Sequence, residues 1–133
     1  MRRLESARWE KWISDLPKRS HIAVPRCLKP TNLGTAEVTQ RHHFANASQI
    51  AYGAVSYARF VNEEKNVHCS FLVGKSPLAY IKRMTIPRLE LSAAVLAVTL
   101  DRSLREELEM KIDELVFWSD STAVLQYIKN EDE

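Results

Sequence analysis

The chain has 133 residues, of which 45% are hydrophobic and 27% charged, and this composition suits one globular domain with a short appendage. Its 19 basic and 17 acidic residues leave a formal net charge of +2, which is too small to indicate a nucleic-acid or membrane partner by charge alone. No apolar run reaches the length of about 18 residues that a membrane span needs, and the N-terminal stretch MRRLESARWEKW has no apolar signal core, so we expect an intracellular chain with no membrane partner.

Residues 1–34 are predicted to form a helix and a connector. Trp9, Trp12, Ile13 and Leu16 recur at three- and four-residue spacing, which predicts an amphipathic helix over residues 4–16. The stretch LPKRSHIAVPRCLKPTNLG is rich in proline, which predicts an extended connector over residues 17–34. The two tryptophans need a packing partner, either the main domain or a neighbouring chain, and packing within the chain is the simpler expectation.

Residues 35–133 are predicted to form the main domain, beginning with three strands. The stretches EVTQRHHFANAS, AYGAVSYARF and HCSFLVGKSPL alternate in polarity with the period of a strand. The segment VNEEKNV, between the second and third stretches, has the composition of a hairpin turn. These three strands are therefore expected to form an antiparallel meander.

The period then changes to that of a helix. TIPRLELSAAVLAVTLDRSLREELEM places Thr85 as a possible cap and Pro87 in the first turn, where its missing N–H has no cost. The predicted buried stripe of this long helix is Leu89, Ala93, Leu96, Leu100 and Leu104. DELVFWSDS predicts a fourth strand and STAVLQYIKN a second helix, with Ser119, Asp120 or Ser121 available as its cap. The order β-β-β-α-β-α predicts a mixed α/β fold.

Three polar residues occupy the ends of these elements. Asn46 ends the first strand, Glu90 lies in the first turn of the long helix, and Asp120 ends the fourth strand. Each residue has an ordinary structural explanation: a turn former, a favourable charge at a helix N-terminus and a helix cap. If the fourth strand lies beside the first, however, all three face one point.

Three stretches together carry a family resemblance: FANASQIAYGAVSY, KSPLAYIKRMTIPRLELSAAVLA and FWSDSTAVLQYI. They resemble the ribonuclease H region of Pao/BEL retrotransposon polyproteins, which follows the reverse transcriptase and is also catalogued as the Pao retrotransposon peptidase family. RWEKWISDLPKRSHIAVPRCLKP resembles the segment just upstream in these polyproteins. The resemblance implies a ribonuclease H-like fold, a link to an upstream reverse transcriptase segment, and Mg²⁺-dependent hydrolysis of RNA in an RNA–DNA hybrid.

The resemblance also implies site residues. Glu90 and Asp120 match two of the family's metal-binding acids, whereas Asn46 stands where the family motif F-x-D-A-S has aspartate. An amide oxygen can coordinate a cation but adds no negative charge, so we expect weaker Mg²⁺ binding and impaired catalysis. Relative to the family fold, the C-terminal strand, final helix and fourth acid are expected to be missing, which makes the ribonuclease H-like domain incomplete.

Three alternatives remain open at this point. The chain is either a nuclease or a non-catalytic remnant that binds nucleic acid or another protein. An aspartic peptidase is a further possibility suggested by the family's other name, but Asp120-Ser121-Thr122 lacks the glycine of such sites and has no second copy.

Other residues receive simpler expectations. Lys75, Lys82, Arg83 and Arg88 form a basic group that would suit phosphate contacts or a solvated loop. His42 and His43 are expected to be structural and Trp118 to pack in the core. Cys27 and Cys69 lack metal-type spacing and are expected to be buried free thiols rather than a disulfide.

Overall fold

A computed structural model describes residues 2–79 and 84–130 as one four-stranded sheet with three α-helices. In chain order the elements are α1 (Arg2–Asp15), β1 (Ala36–Ala47), β2 (Tyr52–Asn62), β3 (Val67–Lys75), α2 (Ile86–Glu107), β4 (Glu114–Ser119) and α3 (Thr122–Asn130). The predicted order β-β-β-α-β-α and the mixed α/β class are confirmed. In the described ranges, no helix has the length and apolar character to cross a membrane.

The sheet has the strand order β3-β2-β1-β4. The first three strands form the predicted antiparallel meander, and β4 runs parallel to β1 with Ser119 opposite Ala45. Parallel neighbours need a long crossover, which α2 supplies here. In the turn between β2 and β3, Lys65 has a φ of 65° and Asn66 N donates to Asn62 Oδ1 at 2.8 Å.

The long helix α2 packs against one face of β1 and β2. Leu89, Ala93 and Leu100 are buried as predicted, and Leu96 and Leu104 are partly buried. Ala93 and Ala97 join Ala45 and Ala54 of the sheet in one core cluster. Because these four side chains are single methyl groups, the helix backbone lies close to the sheet.

Two polar contacts fix the start of β4 and of α3. Asp113 Oδ2 accepts from Thr39 N at 2.8 Å, and Asp113 N donates to Thr39 O at 2.8 Å, which sets the register of β4 on β1. Ser121, one of the three predicted caps, accepts from Val124 N at 3.2 Å through its Oγ. Thr85 occupies the cap position of α2 without a side-chain hydrogen bond.

The N-terminal helix does not pack on the sheet. Trp9 is 60% exposed and Trp12 46%, with their rings stacked 5.1 Å apart. The expectation that α1 packs within the chain is therefore wrong in this structure. The predicted connector contains two 3₁₀ helices, Leu16–His21 and Thr31–Leu33, with a segment free of regular helix or strand between them.

Two other burial expectations are corrected. Cys27 and Cys69 are free, as predicted, but both are exposed. Trp118 is 51% exposed, because its position on β4 points away from α2. The alternation of a strand predicts which side chains share a face of the sheet. It does not predict which of the two faces a helix covers.

Candidate functional site

The C-terminal ends of β1 and β4 meet at one edge of the sheet. Ala45 is the register partner of Ser119, so Asn46 and Asp120 come next on neighbouring parallel strands. Both residues line a groove of about 860 Å³. Carboxyl ends of parallel strands commonly bind ligands in open α/β sheets.

Aromatic and basic side chains line the groove. Phe44, Tyr52 and Trp118 line it, and Lys75 contributes a cationic side chain. Gly53 lies between β1 and β3, where an added Cβ would be 3.1 Å from the backbone oxygen of Lys75. A side chain at this position would therefore require a small shift of the Lys75 backbone.

Asn46 is exposed on the side of β1 that faces away from α2. Its neighbours Ala45 and Ala47 belong to the cluster against α2, and side chains alternate along a strand. Asn46 Oδ1 accepts from Ala47 N at 2.7 Å. The amide oxygen thus already has one backbone donor and keeps one lone pair for another partner.

Glu90 is connected to the same edge through Ser121. It is the fifth residue of α2, just beyond the first turn rather than in it as predicted. The half-buried Glu90 carboxylate accepts from Ser121 Oγ at 2.5 Å, and the Ser121 side chain is buried at the start of α3. Ser121 follows Asp120 directly in the sequence. Glu90 is therefore hydrogen-bonded to the residue next to Asp120.

The three predicted site residues are therefore brought together to different degrees. Asn46 and Asp120 share the groove, and Glu90 is not one of its lining residues. Within the part of the chain that the structure describes, no three His, Cys, Asp or Glu side chains form a metal-type group. The donors are hard oxygens of the kind that Mg²⁺ takes, and the one from Asn46 carries no negative charge.

The predicted basic group is divided. Lys75 lines the groove, whereas Arg88 is exposed near the start of α2. Lys82 and Arg83 lie outside the described residues. Of this basic group, only Lys75 has a described position in the groove that Asn46 and Asp120 also line.

The residue that sequence reasoning missed at this edge is Trp118. Its ring stacks on Phe44, with centroids 6.0 Å apart and an interplanar angle of 7°. Trp118 Nε1 donates to His42 Nδ1 at 2.9 Å, so the proton of a neutral His42 is on Nε2. A signal was available, because Trp118 directly precedes the dipeptide Ser119-Asp120.

A buried polar network beneath the sheet was also missed. Asp101 Oδ1 lies 2.8 Å from Arg41 Nε and 3.0 Å from His43 Nε2, and Asp101 Oδ2 lies 2.8 Å from Arg105 Nε. His43 Nδ1 is 2.6 Å from Ser56 Oγ. Although these include the residue types of a hydrolase triad, His43 and Ser56 are 0% exposed, so no substrate reaches them. The network is structural, in agreement with the expectation for His43.

Burial lowers the pKa of His43 from its ordinary value. The hydrogen bond and negative charge of Asp101 oppose this effect, and the positive charge of Arg41 adds to it. The uncharged imidazole is thus the favoured form in the core at neutral pH.

Comparison with protein families gives one result. A family model described as Pao retrotransposon-like RNaseH-like domain matches residues 2–121. A search of curated proteins finds no match. The matched segment includes α1, the connector, the whole sheet and the residues Asn46, Glu90 and Asp120.

Proposed function

This chain belongs to the Pao retrotransposon-like RNaseH-like domain family, and we propose that it derives from a nuclease that hydrolyses the RNA strand of RNA–DNA hybrids with Mg²⁺. The proposed site consists of Asp120, Glu90 and Asn46 at the edge where β1 and β4 end. The observation that carries the proposal is the shared groove of Asn46 and Asp120.

Each residue has a proposed role. Asp120 supplies the charged oxygen in the groove, Asn46 supplies a neutral oxygen beside it, and Glu90 supplies a second carboxylate from α2. Bound Mg²⁺ would activate a water and stabilise the negative charge that develops on the phosphate. To bind Mg²⁺, the Glu90 carboxylate must give up the hydrogen bond from Ser121 Oγ or use its other oxygen as the metal ligand.

We further propose that Asn46 impairs cleavage in this chain. Two close cations require several negative charges nearby, and an amide at position 46 contributes none. The same amide favours a second candidate function, a module that binds a hybrid without cutting it. Lys75 would then contact a phosphate, and hybrid binding would weaken as salt is raised.

Cleavage of a labelled RNA–DNA hybrid tests the proposal. The unmodified chain is expected to cut weakly in Mg²⁺, and Asn46→Asp to cut at least about tenfold faster, equivalent to about 1.4 kcal/mol of barrier. Asn46→Ser is the matched control, because it changes the same exposed position without adding charge.

Two outcomes would count against this proposal. One is strong Mg²⁺-dependent cutting by the unmodified chain, which would show that Asn46 does not impair the site. The other is a double variant, Asn46→Asp with Asp120→Asn, that cuts as fast as Asn46→Asp alone. That result would show that the activity does not depend on Asp120. Equal hybrid affinity with no cutting by either variant would favour the binding module.

A further inference from the structure

Two exposed apolar surfaces in this chain have no partner in the described structure. The helix surface consists of Trp9, Trp12 and Ile13 on α1, which are 60%, 46% and 46% exposed. The sheet surface is the face of the sheet opposite α2. It consists of Phe71, Tyr57, Phe44 and Trp118, one from each strand.

The sheet surface is one continuous aromatic strip. Phe44 stacks on Trp118 at 6.0 Å and meets Tyr57 edge-on at 6.0 Å, and Tyr57 meets Phe71 edge-on at 5.8 Å. Phe44, Phe71 and Trp118 remain 43%, 41% and 51% exposed. A contiguous apolar patch that crosses a whole sheet is typical of a face that another element covers.

The C-terminal part of the connector lies on the other side of the sheet. Leu28 and Leu33 pack with Ala58 and Phe60, whose side chains are on the α2 face of β2. Asn62 Nδ2 donates to Leu33 O at 3.1 Å, which fixes this end of the connector further. The chain therefore approaches the body from the α2 side, and its own α1 would have to pass around an edge strand to reach the aromatic strip.

We infer that the helix surface of a second copy covers the sheet surface, in a reciprocal dimer. An aromatic side chain buries about 150–250 Å² when it is fully covered. From the exposed fractions, about 300 Å² of accessible area remains on each surface, so one helix–sheet contact would bury about 600 Å² in total. Two such contacts bury about 1,200 Å², the lower end of stable protein interfaces, whereas one contact alone is below it.

The shapes of the two surfaces agree with this pairing. A helix of 14 residues is about 21 Å long. Four strands spaced about 4.8 Å apart span about 14 Å from first to last. The backbone of one α1 can therefore lie across all four strands, with Trp9, Trp12 and Ile13 within about 6 Å of its length, and two-fold symmetry makes both contacts identical.

The test is the solution mass of the full chain by light scattering and sedimentation at about 50 µM, in the concentration range where a small interface is populated. The wild type is expected to be a dimer. Trp9→Gln with Trp12→Gln is expected to be a monomer, while the matched control Val95→Gln with Val98→Gln, two valines exposed on α2, remains a dimer. A monomeric wild type, or a dimer that survives loss of both tryptophans, would overturn the inference.

A mixing experiment identifies which surfaces meet. Tyr57→Thr with Phe71→Thr damages the sheet surface and leaves α1 intact, and circular dichroism checks that this variant folds. Neither double variant should self-associate, but an equimolar mixture should form a weak heterodimer through its one remaining intact helix–sheet pair. Self-association of either double variant through its undamaged surface would overturn helix–sheet pairing in favour of like-with-like contact. If the sheet variant fails to fold, the tryptophan variant alone decides, because it changes no residue of the sheet.

This inference does not depend on the proposed nuclease ancestry. The mass measurements use neither metal nor nucleic acid, so their failure is distinguishable from failure of the cleavage test. Phe44 and Trp118 belong to both the sheet surface and the groove wall, so the partner's α1 would border the groove.

Discussion

At the residue scale, one atom of the side chain at position 46 decides whether that side chain carries a negative charge. An aspartate and an asparagine have nearly the same shape, and either can end β1 and accept the backbone N–H of Ala47. Only the aspartate adds a charge beside Asp120. The sequence alone placed Asn46 and Asp120 at strand ends, because the alternating pattern stops there.

The buried charges could not be predicted in the same way. Arg41 and His43 look like the outward positions of an alternating strand, and Asp101 looks like an exposed helix residue. Their burial depends on pairing between residues 58 or more positions apart along the chain. Local periodicity contains no information on such partners, and a buried charge is tolerated only when a partner of opposite charge is present.

The buried network leads to a prediction about pH. Because burial holds the pKa of His43 below its unfolded value, the unfolded chain takes up a proton first as the pH falls through about 6.5. The contribution of neutral His43 to stability is therefore fully present above that pH and decreases below it. Urea unfolding should show that the wild type loses free energy of unfolding between pH 7.5 and pH 5.5. The loss between the same two pH values should be smaller for His43→Gln.

His68→Gln is the control, because His68 lies on β3 and is not among the groups that act on the pKa of His43. An equal pH dependence in wild type and His43→Gln would contradict this account of the network. The charged and titratable groups around His43 are Asp101, Arg41 and His42, with Ser56 as the hydrogen-bond partner.

At the element scale, Ser121 joins two helices to the sheet edge. It caps α3 through Val124 N and donates to Glu90 of α2. The cap was predictable, since serine and aspartate precede a helical pattern. The link to Glu90 was not, because it depends on how α2 crosses the sheet.

Replacing Ser121 with alanine should therefore have two costs. Loss of the cap costs about 1 kcal/mol, and the half-buried Glu90 carboxylate loses a donor worth about another 1 kcal/mol. Urea unfolding should show a loss of about 2 kcal/mol for Ser121→Ala. Thr122→Ala, one exposed residue later, should cost far less, and equal losses in the two variants would contradict the role of Ser121.

At the scale of the whole molecule, the sequence predicted the order of elements but not the assignment of faces. Three alternating stretches and two helical ones were enough for the meander and the element order, whereas the position of β4 beside β1 entered only as a condition. Which face α2 covers follows from the small side chains of Ala45, Ala54, Ala93 and Ala97 acting together. For that reason Trp118 was expected in the core and is exposed. The helix α1, which was expected to pack within the chain, exposes both of its tryptophans.

The central claim is that positions 46 and 120 form one cation site, weakened by the amide. Calorimetric titration of Mg²⁺ into the wild type, Asn46→Asp and Asn46→Asp with Asp120→Asn tests it without requiring catalysis. We predict that Asn46→Asp binds Mg²⁺ at least about tenfold more tightly than the wild type, a gain of about 1.4 kcal/mol, and that the added Asp120→Asn removes this gain. Equal affinity of the wild type and Asn46→Asp, or a gain that persists without Asp120, would contradict the account.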